Sequence, residues 1–513
     1  MKALFVNPHK LIPDAFSLTQ RASPPLGLAY IASAVEAQGY ETSAYDCIAE
    51  APGHYFPFNN YEGISALGIG FEEMFAQLGD YYDLIGLTVM FSNNWLINRH
   101  LINLLKQRYP KALIVIGGEH ASAIPEYCLN DCPGLDMVAI GEGEETIAEV
   151  AVRLRDGKPY HDVKGTVYKV RGEQERIVKN ERRVRILNVD EILRPAWHLF
   201  PLDKYFENEI SYGIAYGRSL PIFATRGCPF SCTFCSSPQM WGTRYYMREV
   251  ENVISEIKHL YTEYGVTNFD FYDLTAIIKR EWILEFCAAI EREGLQITWQ
   301  IPAGTRSEAI DFEVAVALKK AGCKNITYAP ESGSIDMLKS IKKKITIDKM
   351  LDSIEQSYKA GLDVKLNIML GYPEEKISDM LKTGWFLVKA SLSGATDASP
   401  SMFSPYPGSA LFMELEERNE LKLSDQYFQS IVYSQSLHNF KNFNRHYSRN
   451  TMMLMLFISY VFFYASNYLF RPLRAMRLIV NVSTHKYNTR GEYMIGTILG
   501  RFRATKAMSG AKT

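Results

Sequence analysis

The sequence predicts an α/β protein with three parts: a doubly wound, Rossmann-like parallel sheet, a partial barrel of six βα units, and a helical carboxyl-terminal region. Residues 1–155 alternate short apolar runs with stretches of helical spacing, and residues 206–420 repeat that alternation about six times. Residues 421–513 show mainly helical spacing. The segment in between, 156–205, is richer in charge and is predicted to be a small β-rich linker.

Length and composition exclude several classes of protein. A chain of 513 residues is too long for one ordinary core and predicts two or three domains. The formal net charge of -1 gives no bias toward nucleic acid, so we expect no nucleic-acid partner. The first apolar run stops at Asn7-Pro8, too soon for a signal peptide. Eight cysteines are too few for a disulfide scaffold, and we expect a cytoplasmic protein with reduced thiols.

In the amino-terminal part, glycines follow two of the predicted strands. The predicted strands are Leu4–Val6, Leu84–Met90, Ala112–Ile116 and Met137–Ile140, and the predicted helices are Leu26–Gln38, Trp95–Arg108 and Glu145–Leu154. Gly117-Gly118 follows the third strand, and Gly141-Glu142-Gly143-Glu144 follows the fourth. Doubly wound sheets bind ligands beyond the carboxyl ends of their strands, where glycine lets the backbone approach a ligand. Tight turns use the same residues, so a glycine pair alone does not establish a site.

The linker and the barrel are predicted from their apolar runs. The linker contains Gly165–Lys169 and Arg183–Leu187 as strand candidates and closes at Pro195-Ala196-Trp197. The barrel strands are predicted at Ile222–Thr225, Asn268–Tyr272, Ile297–Ile301, Asn325–Ala329, Val364–Leu370 and Ala398–Phe403. The helices between them are Glu249–Glu263, Arg280–Glu293, Phe312–Ala321, Ile347–Ala360 and Ile377–Lys389. The chemistry of such a barrel is expected at the carboxyl ends of its strands.

The carboxyl-terminal region contains one uncharged stretch, Thr451–Phe470, followed by a basic tail. The stretch has the nominal length of a membrane span but includes Ser459, Ser466 and Asn467. Three interpretations fit it: a buried helix covering the barrel, which length and polarity favour, a peripheral membrane contact, or a spanning helix. The tail carries Arg471, Arg474, Arg477, Lys486, Arg490, Arg501, Arg503, Lys506 and Lys512 against Glu492. Such a tail suits an anionic membrane surface and suits solvent equally.

The decisive motif is a cysteine cluster directly after the first barrel strand. It reads Arg226-Gly227-Cys228-Pro229-Phe230-Ser231-Cys232-Thr233-Phe234-Cys235, with C-x3-C-x2-C spacing and no fourth ligand nearby. Thiolates hold iron–sulfur clusters, and three of them leave one iron of a four-iron cubane open to a small molecule. A structural zinc site needs four ligands, and His198 and His259 lie outside zinc-finger spacing. We predict a [4Fe–4S] cluster on Cys228, Cys232 and Cys235; three structural cysteines or a zinc site are the alternatives.

This motif, including the aromatic Phe234 before the last cysteine, resembles that of the radical S-adenosylmethionine (SAM) superfamily. The resemblance implies a partial βα barrel in which the open iron chelates the amino and carboxylate groups of SAM. It implies reductive cleavage of SAM to methionine and a 5′-deoxyadenosyl radical that abstracts hydrogen from the substrate. It also implies an external electron donor of the flavodoxin or ferredoxin type.

Polar residues after the later barrel strands are candidates for contacts to SAM. Asp273 ends the second strand, Arg306 follows the third, and Glu331-Ser332 begins a turn similar to the E-S-G-S turn of the superfamily. The resemblance therefore places SAM against Phe234, Asp273, Arg306, Glu331 and Ser332. Strand-end polar residues also cap helices, so Glu331 or Ser332 as a helix cap is the alternative. The sequence shows no evident general base; the candidates by position are Asp273, Tyr372 and Tyr406.

Four segments of the first part together resemble the cobalamin-binding domain that precedes many radical enzymes. They are Pro24–Tyr30, Asp83–Thr88, Gly117–Ala121 and Gly141–Glu144. The resemblance implies cobalamin contacts from Thr88, Ser92, Gly117, Gly118, Glu119, His120, Gly141, Glu142 and Gly143. The D-x-H-x-x-G signature is absent and His120 belongs to a G-G-x-H turn, so we expect cobalt to lack a histidine on its lower face. A sheet domain without a cofactor is the alternative.

The two resemblances lead to three hypotheses about function. The first is a cobalamin-dependent radical methyltransferase acting on an unactivated carbon, in which one SAM supplies the methyl group and a second the radical. The second is an oxidative cyclase or rearrangement enzyme with the same cofactors, similar to the anaerobic cyclase of magnesium-porphyrin monomethyl esters. The third is a non-catalytic cobalamin or cluster sensor, which the complete set of three cysteines disfavours. The expected substrate is a small molecule, lipid-like or a ring system if the carboxyl-terminal region contacts the inner membrane face.

Overall fold

The computed structural model of the chain describes residues 1–14, 22–58, 61–172, 175–435, 440–489, 491–493, 495–496 and 499. A seven-stranded sheet with flanking helices is followed by a six-stranded parallel sheet with its own helices, and then by three further helices. This arrangement confirms the predicted fold class. Part of the predicted basic tail lies outside the described residues: Arg490, Arg501, Arg503, Lys506 and Lys512.

The first sheet has the strand order β10-β9-β8-β7-β6-β1-β3. Its part of the chain contains the strands β1 (Lys2–Asn7), β2 (Lys10–Pro13), β3 (Glu41–Asp46), β4 (Tyr55–Pro57), β5 (Ile64–Leu67), β6 (Leu84–Thr88), β7 (Leu113–Gly117), β8 (Met137–Ala139), β9 (Thr166–Val170) and β10 (Arg176–Lys179). The helices are α1 (Leu26–Glu36), α2 (Cys47–Glu50), α3 (Phe71–Gln77), α4 (Trp95–Arg108), α5 (Glu119–Ala123), α6 (Pro125–Asp131) and α7 (Glu144–Arg155). Strands β3, β1, β6, β7 and β8 are parallel, whereas β9 and β10 run antiparallel to their neighbours.

Three features of this half differ from the sequence prediction. Edge strand β3 was missed because an edge strand needs no continuous apolar run, and Glu41 at its start is exposed. The small antiparallel sheet β2-β5-β4 was missed as well. The predicted strand Arg183–Leu187 is wrong: the Ile186 amide donates to the Glu142 carboxylate at 3.0 Å instead of to a strand. The first half of segment 156–205 thus extends the first sheet through β9 and β10.

The second sheet is all parallel, in the order β11-β14-β15-β16-β17-β18. Its part of the chain contains β11 (Ser219–Ile222), β12 (Thr225–Arg226), β13 (Tyr246–Met247), β14 (Asn268–Phe271), β15 (Thr298–Thr305), β16 (Cys323–Glu331), β17 (Asp363–Leu370) and β18 (Asp397–Met402). The helices are α8 (Leu202–Glu207), α9 (Ser237–Trp241), α10 (Val250–Tyr264), α11 (Arg280–Arg292), α12 (Phe312–Lys320), α13 (Ile335–Ser340), α14 (Ile347–Lys359), α15 (Ile377–Ser393) and α16 (Ala410–Glu417). In the described residues β11 and β18 have no strand between them, so the barrel is open on one side.

Three helices of the carboxyl-terminal region cover the open barrel and the first domain. They are α17 (Asp425–Val432), α18 (Arg449–Phe470) and α19 (Pro472–Thr484), and short 3-10 turns lie at Ser92–Asn94, Val189–Glu191, Trp197–Leu199 and Tyr433–Gln435. Helix α18 packs against α15 and β18. The first sheet has an apolar core on each face, and alternate side chains enter one core or the other. Phe5 enters the first and Leu4 the second, and both cores continue into the barrel. The two sheets therefore share their packing.

Candidate functional site

The cysteine motif forms a loop held by the hairpin of β12 and β13. Gly227 begins it with a φ of 91°, and a side chain there would overlap the Arg244 carbonyl oxygen. The loop returns through α9 to β13, which pairs with β12 through Arg226 and Tyr246. Only glycine combines this conformation with so close an approach of two backbones.

Three further hydrogen bonds fix the loop to the rest of the molecule. The Thr233 amide donates to the Ile341 carbonyl at 3.1 Å, and the Thr233 carbonyl accepts from the Leu411 amide at 2.9 Å. The Ser236 hydroxyl donates to the Glu119 carboxylate of the first domain. The protein itself thus anchors the loop to the end of α13, to α16 and to α5 of the first domain.

The three thiols of the loop fit a cluster with an open iron. Cys228, Cys232 and Cys235 are partly exposed, and each lies close enough to a second thiol of the set to raise its pKa. Burial raises the pKa of all three thiols, so they would have to lose their protons to bind a cluster. Among the described residues, no three His, Cys, Asp or Glu side chains could hold a single metal ion. A cubane places each thiolate on its own iron, so its ligands need not converge on one point.

Cations and one carboxylate face the thiols from the barrel. The Arg306 guanidinium lies 4.0 Å from the Phe230 ring centroid, and Lys343 lies 5.8 Å from that of Phe234. Lys343 also pairs with Glu331 at 3.2 Å. Burial raises the pKa of Glu331, and Lys343 only partly opposes that effect. Phe234, Arg306 and Glu331 of the predicted SAM site therefore do lie around the loop.

The other two residues predicted to contact SAM are engaged in the fold. Asp273 accepts from the Thr225 hydroxyl and from the Ala224 amide at 3.1 Å, and burial raises the pKa of Asp273 to about 6. The Ser332 hydroxyl meets the Thr383 hydroxyl at 3.1 Å. The helix cap expected of Glu331 or Ser332 is in fact Ser334, which caps α13. Asp273 and Ser332 thus shape the loop and the turn around the thiols.

The two tyrosines considered as general bases lie outside the barrel lumen. The Tyr372 ring is fully buried 6.1 Å from that of Phe234, and its hydroxyl has no hydrogen-bond partner. Tyr406 packs beside the core that contains Leu4, and its hydroxyl bonds to Ser434, a residue of the lumen wall. Burial raises the pKa of both hydroxyls, which makes neither of them a ready proton acceptor.

A second site lies between the first sheet and the cysteine loop. It is a largely apolar cleft whose enclosed part measures about 150 Å³. The first domain contributes strand-end residues and glycines, among them Thr88, Gly117, Gly118, Gly141, Glu142 and Gly143. A side chain at Gly27 would project into open space, so part of the cleft wall is bare backbone. This cradle leaves room against bare backbone for part of a large cofactor such as cobalamin, and six of the nine predicted residues line it.

The remaining wall of the cleft was not predicted from the sequence. Arg226, Met240 and Trp241 close it from the barrel side. All three belong to residues 226–241, the cysteine motif with the following helix α9, which we call the cysteine segment. Arg226 pairs with Glu142 at 3.1 Å and with Glu144 at 2.5 Å, in a buried position. In the sequence, the signal that pointed to Arg226 was its position immediately before Gly227, at the start of the cysteine motif. Arg185, which pairs with Glu142 at 3.3 Å, had no signal in the sequence.

Ser92, Glu119 and His120 do not line the cleft. The Ser92 hydroxyl and the His120 Nδ1 meet at 2.8 Å in the core near Trp95 and Phe428, where burial lowers the pKa of His120 to about 3. Glu119 instead binds Ser236. No histidine is found among the described residues that line the cleft.

The lumen of the open barrel is a cavity of about 660 Å³. Asn367 and Ser399 stand opposite each other on β17 and β18 and give its wall polar groups. Tyr460 and Tyr464 of α18 and residues 485–488 close the side and the floor. Glu331 lines the same cavity and opposes the charge of the Cys232 thiolate. Glu331 therefore links the lumen to the cysteine loop.

Comparison with known families gives the class of the protein. The B12 binding domain family matches residues 20–151, and the radical SAM superfamily matches residues 222–384. The chain is therefore a radical SAM protein with a cobalamin-binding domain, and its cofactors are a [4Fe–4S] cluster, SAM and cobalamin.

Curated relatives narrow this class to a family. An uncharacterized methyltransferase of Pyrococcus horikoshii is 31% identical over 391 residues, which cover 76% of this chain and 78% of the relative. The cytidylyl-2-hydroxyethylphosphonate methyltransferase of Streptomyces wedmorensis is 29% identical over 77% of this chain and 78% of its own. The anaerobic magnesium-protoporphyrin IX monomethyl ester cyclase of Cereibacter sphaeroides is 25% identical over 78% of this chain and 61% of its own. The chain belongs to the family of cobalamin-binding radical SAM enzymes of the methyltransferase type.

Two solved structures share the fold. The radical SAM methyltransferase TsrM from Kitasatospora setae superimposes with a TM-score of 0.62 at 17% identity, covering 81% of this chain and 76% of its own. The cobalamin-dependent radical enzyme OxsB superimposes with a TM-score of 0.63 at 14% identity, covering 99% of this chain and 80% of its own. At such identities the likeness concerns the fold alone.

Proposed function

We propose that this protein is a cobalamin-dependent radical methyltransferase that methylates a carbon atom of a small molecule bound in the barrel lumen. One observation carries the proposal: the cysteine segment builds both sites. Its thiols face Glu331 and the lumen on one side, while its Arg226, Met240 and Trp241 close the glycine-lined cleft on the other. A group held in the cleft and a group held on the thiols would meet across the same short segment.

The side chains around the loop have separate tasks in this proposal. Cys228, Cys232 and Cys235 hold the cluster, and Lys343 and Arg306 offset the negative charge of the thiolates. When bound, the cluster and SAM supply a 5′-deoxyadenosyl radical that removes hydrogen from the substrate, and cobalamin supplies the methyl group. The anchored loop keeps these groups in fixed relation.

The walls of the two cavities hold the reactants. The cleft residues Thr88, Gly117, Gly141 and Gly143 offer backbone and little bulk to a cofactor, while Asn367 and Ser399 offer hydrogen bonds to a polar substrate. The buried contacts of Arg226 with Glu142 and Glu144 hold the cleft closed against water. The electrons come from an external donor, which we propose to be a cytoplasmic protein of the flavodoxin or ferredoxin type.

The test is product analysis with reconstituted protein under anaerobic conditions. Supplied with reductant, SAM, cobalamin and candidate substrates, the enzyme should release 5′-deoxyadenosine, S-adenosylhomocysteine and a product about 14 Da heavier, the mass of one methylene. The Cys232→Ala variant should lose cluster absorbance and both products. Cys287→Ala is the matched control, because that thiol is buried in helix α11 and should leave both unchanged.

The other outcomes separate the alternatives. Deoxyadenosine without S-adenosylhomocysteine would contradict methyl transfer and favour a cyclase or rearrangement, in line with the cyclase among the relatives. Bound cofactors without either product would favour a sensor. A complete cluster in Cys232→Ala would show that the ligands have been assigned wrongly.

A further inference from the structure

Helix α19 presents its apolar side to solvent and its polar side to the protein. Leu473, Met476 and Ile479 are 76%, 62% and 68% exposed. On the opposite side, Arg474 donates to the carbonyls of Gly394 and Ala395, and Asn481 donates to Glu492 at 3.0 Å. A helix on the surface of a water-soluble domain normally has the reverse orientation. An apolar partner is therefore expected to cover this side of α19.

The apolar surface continues over α18 and α15. On α18 it comprises Leu454, Phe457, Val461, Phe462, Leu469 and Phe470, and on α15 it comprises Leu381, Trp385 and Leu392. Trp385 alone is 60% exposed. On each helix these residues lie mostly three, four or seven positions apart, so each helix contributes one broad stripe. Together with Leu473, Met476, Ile479 and Val480 of α19 they form what we call the apolar face.

Direct contacts join the three stripes into one surface. Helices α15 and α18 approach so closely at Gly384 that a side chain there would meet the Phe462 ring at 2.6 Å. At the other end, Arg471 donates to the Leu392 carbonyl at 2.6 Å, which ties the junction of α18 and α19 to the end of α15. Single exposed apolar residues need no explanation, but a continuous face over three helices marks an interaction surface.

The charge around the apolar face identifies its partner. From Arg449 to Thr489 the sequence has four arginines and one lysine and no Asp or Glu. Two lysines stand beside Trp385 on α15: Lys389, and Lys382, which pairs with Asp336 and Asp379. A second copy of this chain would bring the same cations against them. Anionic lipid headgroups complement them instead, and large apolar side chains flanked by cations are typical of helices that lie in a bilayer interface. We propose that the apolar face of α15, α18 and α19 binds peripherally to an anionic lipid bilayer.

The contacts between α18 and the barrel argue against a membrane-spanning helix. Of the described helices, α18 is the one long and apolar enough to cross a membrane by length and composition. Its inner side, however, forms part of the barrel: Tyr460 donates to the Pro400 carbonyl at 2.9 Å and Asn467 to the Ala395 carbonyl at 2.9 Å. A spanning helix would lose these bonds. Helix α18 therefore lies along the bilayer with one side in the protein.

Vesicle sedimentation of the full chain tests this proposal without requiring any catalytic turnover. The wild type should bind vesicles of phosphatidylcholine with phosphatidylglycerol at least about tenfold more tightly than vesicles of phosphatidylcholine alone, and high salt should weaken the binding. The double variant Met476→Glu with Val480→Glu should lose at least about tenfold in binding, since two apolar side chains no longer enter the lipid.

The matched control places the same two charges on another exposed helix. Phe312→Glu with Val316→Glu changes two exposed residues of α12 at the same four-residue spacing and should bind vesicles like the wild type. Circular dichroism and cluster absorbance show that both variants are folded. Equal binding by both variants would overturn the proposal. So would a wild-type dimer in solution that Met476→Glu with Val480→Glu dissociates, because a second copy would then cover the face.

Discussion

Glu375 is an acidic residue that the fold keeps in an unfavourable position for its charge. It is fully buried, and one carboxylate oxygen accepts from the Gly371 amide at 2.5 Å and from the Tyr372 amide at 3.3 Å. The other oxygen has no partner. Burial outweighs the two amide bonds and raises the pKa of Glu375 from its usual value of 4.5 to about 8. The turn after β17 is therefore held by a carboxyl group that is protonated at neutral pH.

The first prediction is that Glu375 makes the protein less stable as the pH rises from about 5 to 8. Its folded pKa lies above its unfolded value, so in this window the folded chain keeps a proton that the unfolded chain has released. The stabilisation is complete below the unfolded pKa and is lost as the pH rises through the folded pKa. In Glu375→Gln the decrease in the free energy of unfolding between pH 5 and 8 should be smaller by up to a few kcal/mol. Thermal midpoints measured between pH 5 and 8 check the difference.

Glu374 provides the control for this experiment on the adjacent residue. It is exposed, and its hydrogen bond from Arg445 holds the pKa of Glu374 below its usual range. The stability that Glu374 contributes is present above its unfolded pKa. It is lost only at acidic pH, below the window of pH 5 to 8. Its contact with His446 at 3.2 Å is exposed and worth about 1 kcal/mol at most. Glu374→Gln should therefore nearly keep the wild-type slope of stability against pH between pH 5 and 8. A slope in Glu375→Gln equal to that of the wild type would show that Glu375 is ionised in the folded protein.

At the scale of one element, the cysteine loop depends on a single glycine. Gly227→Ala should disrupt the loop, because the added carbon would overlap the Arg244 carbonyl and the φ of 91° is unfavourable for alanine. We expect iron and sulfide per chain to fall sharply after anaerobic reconstitution. Gly265→Ala, at the end of α10, is the control: its φ of 63° and ψ of 29° lie in the left-handed helical region, and an added carbon would meet no atom closer than 3.7 Å. It should cost only about 1 kcal/mol and leave the iron content unchanged. A full cluster in Gly227→Ala would contradict the role of this turn.

Elements with a strong local pattern could be predicted, and those set by tertiary contacts could not. Trp95–Arg108 has helical spacing and is helix α4 with the same bounds, and the buried run beginning at Leu84 is strand β6. The predicted cap of α13 lies two residues before the observed one, Ser334. Ser332 and Ser334 are the same residue type, and only the packing of Ser332 against Thr383 distinguishes them. Likewise, Asp273 was expected to end a strand but lies two residues beyond the end of β14. Its hydrogen bonds to the chain before the cysteines depend on the hairpin of β12 and β13.

At the scale of the whole molecule, the relation between the two domains was beyond the sequence. Each half showed its own motif, the cysteines in one and the strand-end glycines in the other. The closure of the cleft by Arg226, Met240 and Trp241 depends on residues that are separated from those glycines by about a hundred positions. Short motifs carry local chemistry, whereas the surface between two domains is made by side chains that meet only after both have folded. His120 and Ser92 were predicted from their positions after strand ends, but their side chains enter the core near Trp95 and Phe428 instead.

The contacts of Arg226 give the prediction that belongs to this scale. The guanidinium lies between Glu142 and Glu144 in a buried position, and 4.7 Å from the centroid of the Phe223 ring. Burial alone would raise the pKa of Glu144. The charge and hydrogen bond of Arg226 outweigh this effect and hold the pKa of Glu144 below its usual range. Removing a buried arginine leaves buried carboxylates without their cation, which costs about 3 kcal/mol or more. Arg226→Met should therefore loosen the contact between the two domains.

Thermal unfolding and limited proteolysis measure this effect, and Arg218→Met is the control. Arg218 pairs with Asp203 at 2.8 Å on the surface, where an exposed ion pair is worth about 1 kcal/mol at most. Arg226→Met should lower the thermal midpoint, speed cleavage between the domains and weaken cobalamin binding, while Arg218→Met should change none of these by much. Adding Glu144→Gln to Arg226→Met should restore part of the stability, because one fewer carboxylate is left unpaired. If the two arginine variants behave alike, then packing rather than these ion pairs holds the cleft closed.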